Sequence, residues 1–262
     1  LPKTMELIRS SQNKTIQRVQ KLIKSRSARR DSGFIVLDGV HLVEECVRYD
    51  YLESLQIFVE DPITSEEISL LIQEASEKVS ITLVESHIFK KLSTTKSSQG
   101  VVAIGRLKQK LNLNKEAKFV LAIDGIQDPG NLGSILRSAA AFSVDTVYLS
   151  AGTVDAYSPK SLRGGMGAQF RLAIVEDSDL SSLIEEFPGR SMASSSLRGE
   201  TIENINFSGQ LLLLIGSEGN GLSDMLLDKV DDIVSIPLAN NVESLNVGSA
   251  AAILCFRKAQ SD

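Results

Sequence analysis

Leu211-Leu212-Leu213-Leu214-Ile215-Gly216-Ser217-Glu218-Gly219-Asn220-Gly221 is the stretch on which the fold turns. Its unbroken apolar run, cut by Gly216, reads as a strand buried on both faces, the kind found in a parallel sheet covered by helices. Working outward, shorter apolar runs predict strands at 119–123, 146–149, 171–175, 192–194 and 233–236. Helical spacing predicts helices at 132–142, 180–187 and 244–258. Strands alternate with helices, so an α/β layer is expected. A polar stretch at 108–118 separates this series from an earlier one. That series has strands at 33–37, 55–59, 79–84 and 100–105, with helices at 11–26, 41–49 and 65–78 and a short one near Ile88. The expected organisation is a smaller N-terminal α/β domain at 1–107, a linker at 108–117 and a larger domain at 118–262.

The chain has 262 residues, 42% hydrophobic and 23% charged, which is ordinary globular composition with room for two modest domains. Cys46 and Cys255 are isolated, so neither a disulfide framework nor a cysteine-rich zinc site is expected within one chain. No apolar run approaches the ~18 residues a membrane span requires. The expectation is a soluble protein of a reducing compartment. That means the cytoplasm, or a chloroplast or mitochondrion if a transit segment has been removed ahead of Leu1.

The net charge of −5 conceals an asymmetry. Residues 1–33 carry nine cations against Glu6 and Asp31, a local charge of +7 that leaves −12 for the remainder. Phosphate affinity depends on where cations cluster, because each neutralised phosphate releases counterions locally. Lys14, Arg18, Lys21, Arg26, Arg29 and Arg30 are therefore the candidate RNA contacts. In residues 11–26 an apolar stripe, Ile16, Val19, Leu22 and Ile23, leaves a cationic face opposite.

Ligands of open α/β sheets gather where loops leave the carboxyl ends of strands. Three such exits are polar and glycine-rich. The first, 124–137, runs from a strand through Pro129-Gly130 into a helix bearing Asn131 and Arg137, which by spacing need not share a helix face. The second is Gly216-Ser217-Glu218-Gly219-Asn220-Gly221, where three glycines around one carboxylate permit close backbone approach. It lacks the Gly-Lys-Ser/Thr of a P-loop and the spacing of a dinucleotide fingerprint. The third begins at Ile236-Pro237-Leu238 and passes Asn240-Asn241 to Ser244-Leu245-Asn246-Val247, where Ser244 is the candidate helix cap. Read singly, the first two are as readily an ordinary cap and a tight turn, whereas Asn246 of the third, among Ala and Gly that allow close packing, is less easily dismissed.

Taken together and in order, the three segments resemble the SpoU family of the SPOUT methyltransferase superfamily, a class of RNA 2′-O-ribose methyltransferases. The resemblance covers residues from about 118 to 258. It includes Ala156-Tyr157-Ser158-Pro159-Lys160 and Gly165-Met166-Gly167-Ala168, with Arg163-Gly164-Gly165 where many relatives place a small polar residue. A weaker likeness to the family's ribosomal-protein-like substrate-binding domain runs through Gly33 to Glu45. The resemblance implies a parallel sheet with a trefoil knot in its C-terminal part, a homodimer, and S-adenosylmethionine as cofactor. Gly216, Ser217, Ile236, Leu238 and Leu245 would hold the cofactor, and Arg137, Asn131, Glu218, Ser244 and Asn246 would be catalytic. No metal is implied. His41 and His87 lie far from the motifs and read as structural or surface residues.

The implied substrate is RNA, ribosomal in preference to transfer RNA because of the additional N-terminal domain. Two other classes remain at this point. A nucleotide-dependent oxidoreductase needs its glycine fingerprint at the first strand, whereas here the glycine-rich loop comes late. A non-catalytic RNA-binding protein needs only the basic segment and the N-terminal domain.

Overall fold

The structure is a computed structural model that describes residues 5–95, 97–108 and 117–261. All but the two ends of the expected linker lies outside the described residues. The chain divides into two compact units, Leu1–Gln109 with Tyr157–Gly167, and Lys110–Ala156 with Ala168–Asp262.

The first unit runs β1 (Glu6–Ile8), α1 (Lys14–Lys24), α2 (Arg26–Ser32), β2 (Phe34–Asp38), α3 (Val40–Tyr49), β3 (Leu52–Asp61), α4 (Glu66–Ala75), β4 (Ser80–Glu85), α5 (Ser86–Phe89) and β5 (Val101–Leu107). Its five strands form one mixed sheet in the order β1-β4-β3-β5-β2, with β5 antiparallel to both β2 and β3. Ile16, Val19 and Leu22 of α1 pack with Phe34, Val36 and Phe58 of the sheet in one apolar cluster. The single helix expected at 11–26 is two helices. Ser25 takes an extended conformation, closes α1 and caps α2 by accepting from the Ala28 N–H at 3.2 Å.

The second unit contains β6 (Phe119–Ile123), α6 (Pro129–Ala141) and β7 (Thr146–Ser150). The chain then passes through α7 (Pro159–Gly165), which groups with the first unit because it packs on β2. Its Arg163 donates to the Thr94 hydroxyl at 2.7 Å and lies 3.7 Å from buried Asp38. Reading the chain linearly places this segment in the larger domain. The second unit resumes with β8 (Ala173–Ser178), α8 (Leu180–Glu186), β9 (Arg190–Ser194), β10 (Glu200–Thr201), β11 (Leu211–Ile215), α9 (Asp224–Leu227), β12 (Asp232–Ser235) and α10 (Val247–Ala259).

Seven strands form an all-parallel sheet in the order β10-β12-β9-β11-β6-β7-β8. The apolar run Leu211–Ile215 is β11, buried at every position between β9 and β6. β6 and β11 pair in register from Phe119 opposite Leu211 to Ile123 opposite Ile215, so they end level. The Asp124 N–H then donates to the Ile215 carbonyl at 2.9 Å. The first two polar exits therefore leave the sheet side by side, fixed by strand register.

Candidate active site

The exit from β6 is stapled before it becomes a helix. The Gly125 N–H donates to the hydroxyls of Ser150 and Thr153, both at 3.1 Å. The Gln127 amide donates to the carbonyls of Gly125 at 3.1 Å and Gly152 at 2.7 Å. Asp128 caps α6, accepting from the N–H groups of Gly130 at 2.7 Å and Asn131 at 3.0 Å, with Pro129 at the first helical position. The helix thus starts three residues before the expected 132, and Asn131 sits inside its first turn.

The exit from β11 is a closed hairpin. Ser217 and Gly221 exchange backbone hydrogen bonds at 3.1 and 3.0 Å. Gly221 has φ 64°, and a Cβ on Gly216 would lie 2.1 Å from the Gly221 carbonyl carbon. Only glycine fits at Gly216, because the loop folds back over its own strand end. This hairpin presents Glu218 to the first exit.

Three side chains then join all three exits. The Asn131 amide donates to a Glu218 carboxylate oxygen at 2.8 Å. The Asn246 amide donates to the Asn131 carbonyl oxygen at 2.9 Å. The Asn246 carbonyl oxygen caps α10, accepting from the N–H groups of Gly248 at 2.9 Å and Ser249 at 3.4 Å. The helix N–H groups demand an acceptor at one end and the carboxylate demands a donor at the other, so both amides are held in one orientation. Partial burial pushes the Glu218 carboxyl upward, but the Asn131 amide and the backbone N–H groups of Glu218, Gln127 and Asp128 outweigh it. They hold the group below its ordinary value. Glu218 is a fixed anion.

α10 therefore begins at Val247, three residues later than expected, with Asn246 as its cap in place of Ser244. It lies close to α6: a Cβ on Gly248 would be 2.8 Å from the Ser134 hydroxyl. Of the five expected catalytic residues, the structure brings together Asn131, Glu218 and Asn246. Ser244 and Arg137 are exposed, and among the described residues neither side chain makes a hydrogen bond or ion pair. Among the expected cofactor residues, Gly216 is buried in the hairpin and Ser217, Ile236 and Leu245 are half-buried, while Leu238 is 37% exposed. Gln127 and Asp128 were missed by sequence reasoning, although Asp-Pro ahead of a helix is itself a capping signal.

Of the six expected RNA contacts in the first unit, Lys14, Arg18, Lys21 and Arg30 are exposed and Arg26 is half-buried. Arg29 corrects the reading. It is 7% exposed, and its guanidinium donates to the Leu22 carbonyl and to the Ile23 carbonyl at 3.1 Å. It satisfies the carbonyl end of α1 and is not presented to a ligand. Cys46 and Cys255 are buried, and burial pushes each thiol up to about 12, with Glu45 adding to the effect at Cys46. Neither is a nucleophile. Among the described residues no group of three or more His, Cys, Asp or Glu side chains could hold a metal ion, and no helix is long and apolar enough to cross a membrane.

Residues 118–256 match the family model described as the SpoU rRNA Methylase family, and residues 13–103 match that of the MRM3-like substrate binding domain. The 23S rRNA (guanosine(2553)-2′-O)-methyltransferase RlmP of Bacillus subtilis is 30% identical over 256 residues, 96% of this chain and 98% of that protein. Human mitochondrial rRNA methyltransferase 3 is 32% identical over 172 residues, 63% of this chain and 40% of that protein. A solved RNA 2′-O ribose methyltransferase aligns over 97% of this chain and 98% of its own, with a TM-score of 0.81 and 25% identity. The AviRb methyltransferase of Streptomyces viridochromogenes, solved with AdoMet, shares the fold with a TM-score of 0.78 and 24% identity, over 95% of this chain and 98% of its own. With its sheet, its three joined exits and over half its length accounted for in this way, the chain belongs to the SpoU rRNA methylase family.

Proposed function

We propose that this chain is an S-adenosylmethionine-dependent RNA 2′-O-ribose methyltransferase acting on ribosomal RNA. The observation that carries the reading is the Glu218–Asn131–Asn246 chain of hydrogen bonds, which joins three loops far apart in sequence at one end of the parallel sheet. Ribosomal RNA is supported by the RlmP relative and by the MRM3-like domain at 13–103.

The residues present fit the cofactor. From 236 to 246 the backbone is in neither helix nor strand and carries apolar side chains in the open, Leu238 at 37% and Val242 at 52% exposure. Apolar walls beside backbone donors and acceptors that no helix or strand takes up suit an adenosine, with Gly216, Ser217, Ile236, Leu238 and Leu245 as the holding residues. Bound S-adenosylmethionine supplies a methyl group already activated by its positive sulfur. The protein must then position the ribose and stabilise charge on its 2′-oxygen. The Asn131 and Asn246 amides, each with a second N–H, are fixed donors for that task.

Arg137, whose guanidinium offers N–H donors and no acceptor, orients the RNA phosphate and stabilises the developing alkoxide in place of acting as a base. Water or an RNA phosphate takes the proton. A trefoil knot in the C-terminal part of the sheet and a homodimer that completes the site complete the proposal. The second is supported by Ile253 and Phe256, exposed at 39% and 50% on α10. Arg137→Ala is expected to abolish methyl transfer to ribosomal RNA while calorimetric binding of S-adenosylmethionine persists. Near-normal turnover by this variant would remove Arg137 from the mechanism.

A further inference from the structure

We infer that Arg18 and Arg106, both with the guanidinium carbon over the ring of Phe34, form a clamp for an RNA phosphate on the first unit. The site lies outside the motif loops and joins Arg18 of the basic segment 1–33 to Arg106, which stands outside that segment. It rests on the reading of the protein as an RNA methyltransferase.

The clamp is assembled from three elements. Phe34 opens β2 and is 7% exposed, its ring packed in the cluster that seats α1. The Arg18 guanidinium carbon lies 4.1 Å from the ring centroid, and that of Arg106 lies 5.3 Å from the same centroid. α1 delivers the first because Ile16, Val19 and Leu22 face inward and leave Arg18 beside the ring. Antiparallel pairing delivers the second, because Arg106 of β5 stands directly opposite Phe34.

Packing alone does not account for two arginines here. One cation on an aromatic face contributes about 0.5–1 kcal/mol at an exposed site, but a second brings a like charge to the same ring. Among the described residues neither arginine has a carboxylate partner. Glu53 stands opposite Arg106 in the β3–β5 register, yet makes no ion pair with it. Both residues are exposed. A guanidinium held over a ring with no carboxylate partner has N–H donors to offer, in the fork geometry that grips a phosphate. Lys14 and Lys21, exposed four residues before and three after Arg18, continue the strip along the same side of α1. Two guanidinium groups without carboxylate partners, their central carbons within 5.3 Å of one ring centre, form a preorganised anion site on the smaller unit.

The test is equilibrium binding of the full chain to a fluorescent 20-nucleotide single-stranded RNA across a salt series, for the parent, Arg18→Ala, Arg106→Ala, the double variant and Arg106→Lys. The clamp predicts affinity several-fold weaker in each alanine variant. In the double variant, the slope of log affinity against log salt becomes shallower by about 0.7, one phosphate's share on a single strand. Arg106→Lys, which keeps the charge but loses the fork, recovers the slope and only part of the affinity. S-adenosylmethionine affinity stays at the parent value in all of them. An unchanged slope in a folded double variant with a lowered melting temperature overturns the clamp and makes the stack structural. Loss of binding to anionic lipid vesicles without loss of RNA binding overturns it as well. If the parent methylates ribosomal RNA while the variants bind RNA as it does, the clamp alone fails. If the parent neither binds RNA nor transfers methyl, the enzymatic reading falls with it.

Discussion

Glu218 is the residue at which the sequence says least and the structure most. In sequence it is a carboxylate among glycines, equally at home in a solvent-facing turn. In the fold it receives the Asn131 amide and the N–H groups of Gln127 and Asp128, which keep it ionised. Its lowered folded pKa means that the carboxylate supports the native state above its ordinary value of about 4.3. That support is lost as pH falls through the lowered value. Glu218 therefore stays ionised at neutral pH and contributes no ionisation to the rate there. Replacing it by Gln keeps an acceptor for Asn131 but substitutes a neutral hydrogen bond for a charge-assisted one, a loss of about 1 kcal/mol before solvent screening at this exposed site. Glu218→Gln is expected to slow methyl transfer by up to about tenfold, with the pH–rate profile unchanged in shape. A limb of the parent profile that vanishes in the variant would mean that Glu218 exchanges a proton during the reaction.

At the scale of elements, what was legible followed from how strongly local pattern constrains the backbone. β6 and β11 fall where their apolar runs place them, because a central parallel strand buried on both faces tolerates little else. The helix starts were displaced because caps compete. Asp128 with Pro129 begins α6 upstream of its apolar periodicity, while Asn246 begins α10 downstream of Ser244. The short elements β1, β10, α7 and α9 carry two to seven residues each, too few for a period to show, and were not foreseen. The β11 hairpin gives the sharpest test at this scale, because two of its glycines differ in their surroundings. A Cβ at Gly216 meets the backbone of Gly221 and Leu222 within 2.4 Å, whereas one at Gly219 meets nothing within 4 Å. Gly216→Ala is expected to cost about 1–3 kcal/mol in denaturant unfolding and to abolish S-adenosylmethionine binding in a thermal-shift titration. Gly219→Ala should stay close to the parent in both. Equal effects at the two positions would mean that general loop flexibility, and not the close fold-back at Gly216, shapes the hairpin.

For the whole molecule, family and chemistry were legible because three motifs recur in fixed order, whereas the sheet's order was not. β9 and β12 are short and only partly apolar beside the fully apolar β11, and nothing local says that β11 inserts between β9 and β6 while β12 pairs on the far side of β9. Arg29 was misread for a related reason: a cation's charge is local, but its burial is decided by where the end of α1 falls. Assembly is the remaining question at this scale. Phe256 is half exposed on α10 and meets Phe142 edge-on at 5.7 Å, with Ile253 one turn before it. An apolar surface of this kind on the helix that carries the Asn246 cap is where the proposed homodimer would bury area. Phe256→Asp puts a charge on that surface without touching the hydrogen-bonded chain at Asn131. Light scattering is expected to show the parent as a dimer and the variant as a folded monomer, with methyl transfer reduced at least tenfold. A monomeric variant with parental turnover would show that one chain holds the complete site, and a parent that is itself monomeric would remove the dimer from the proposal.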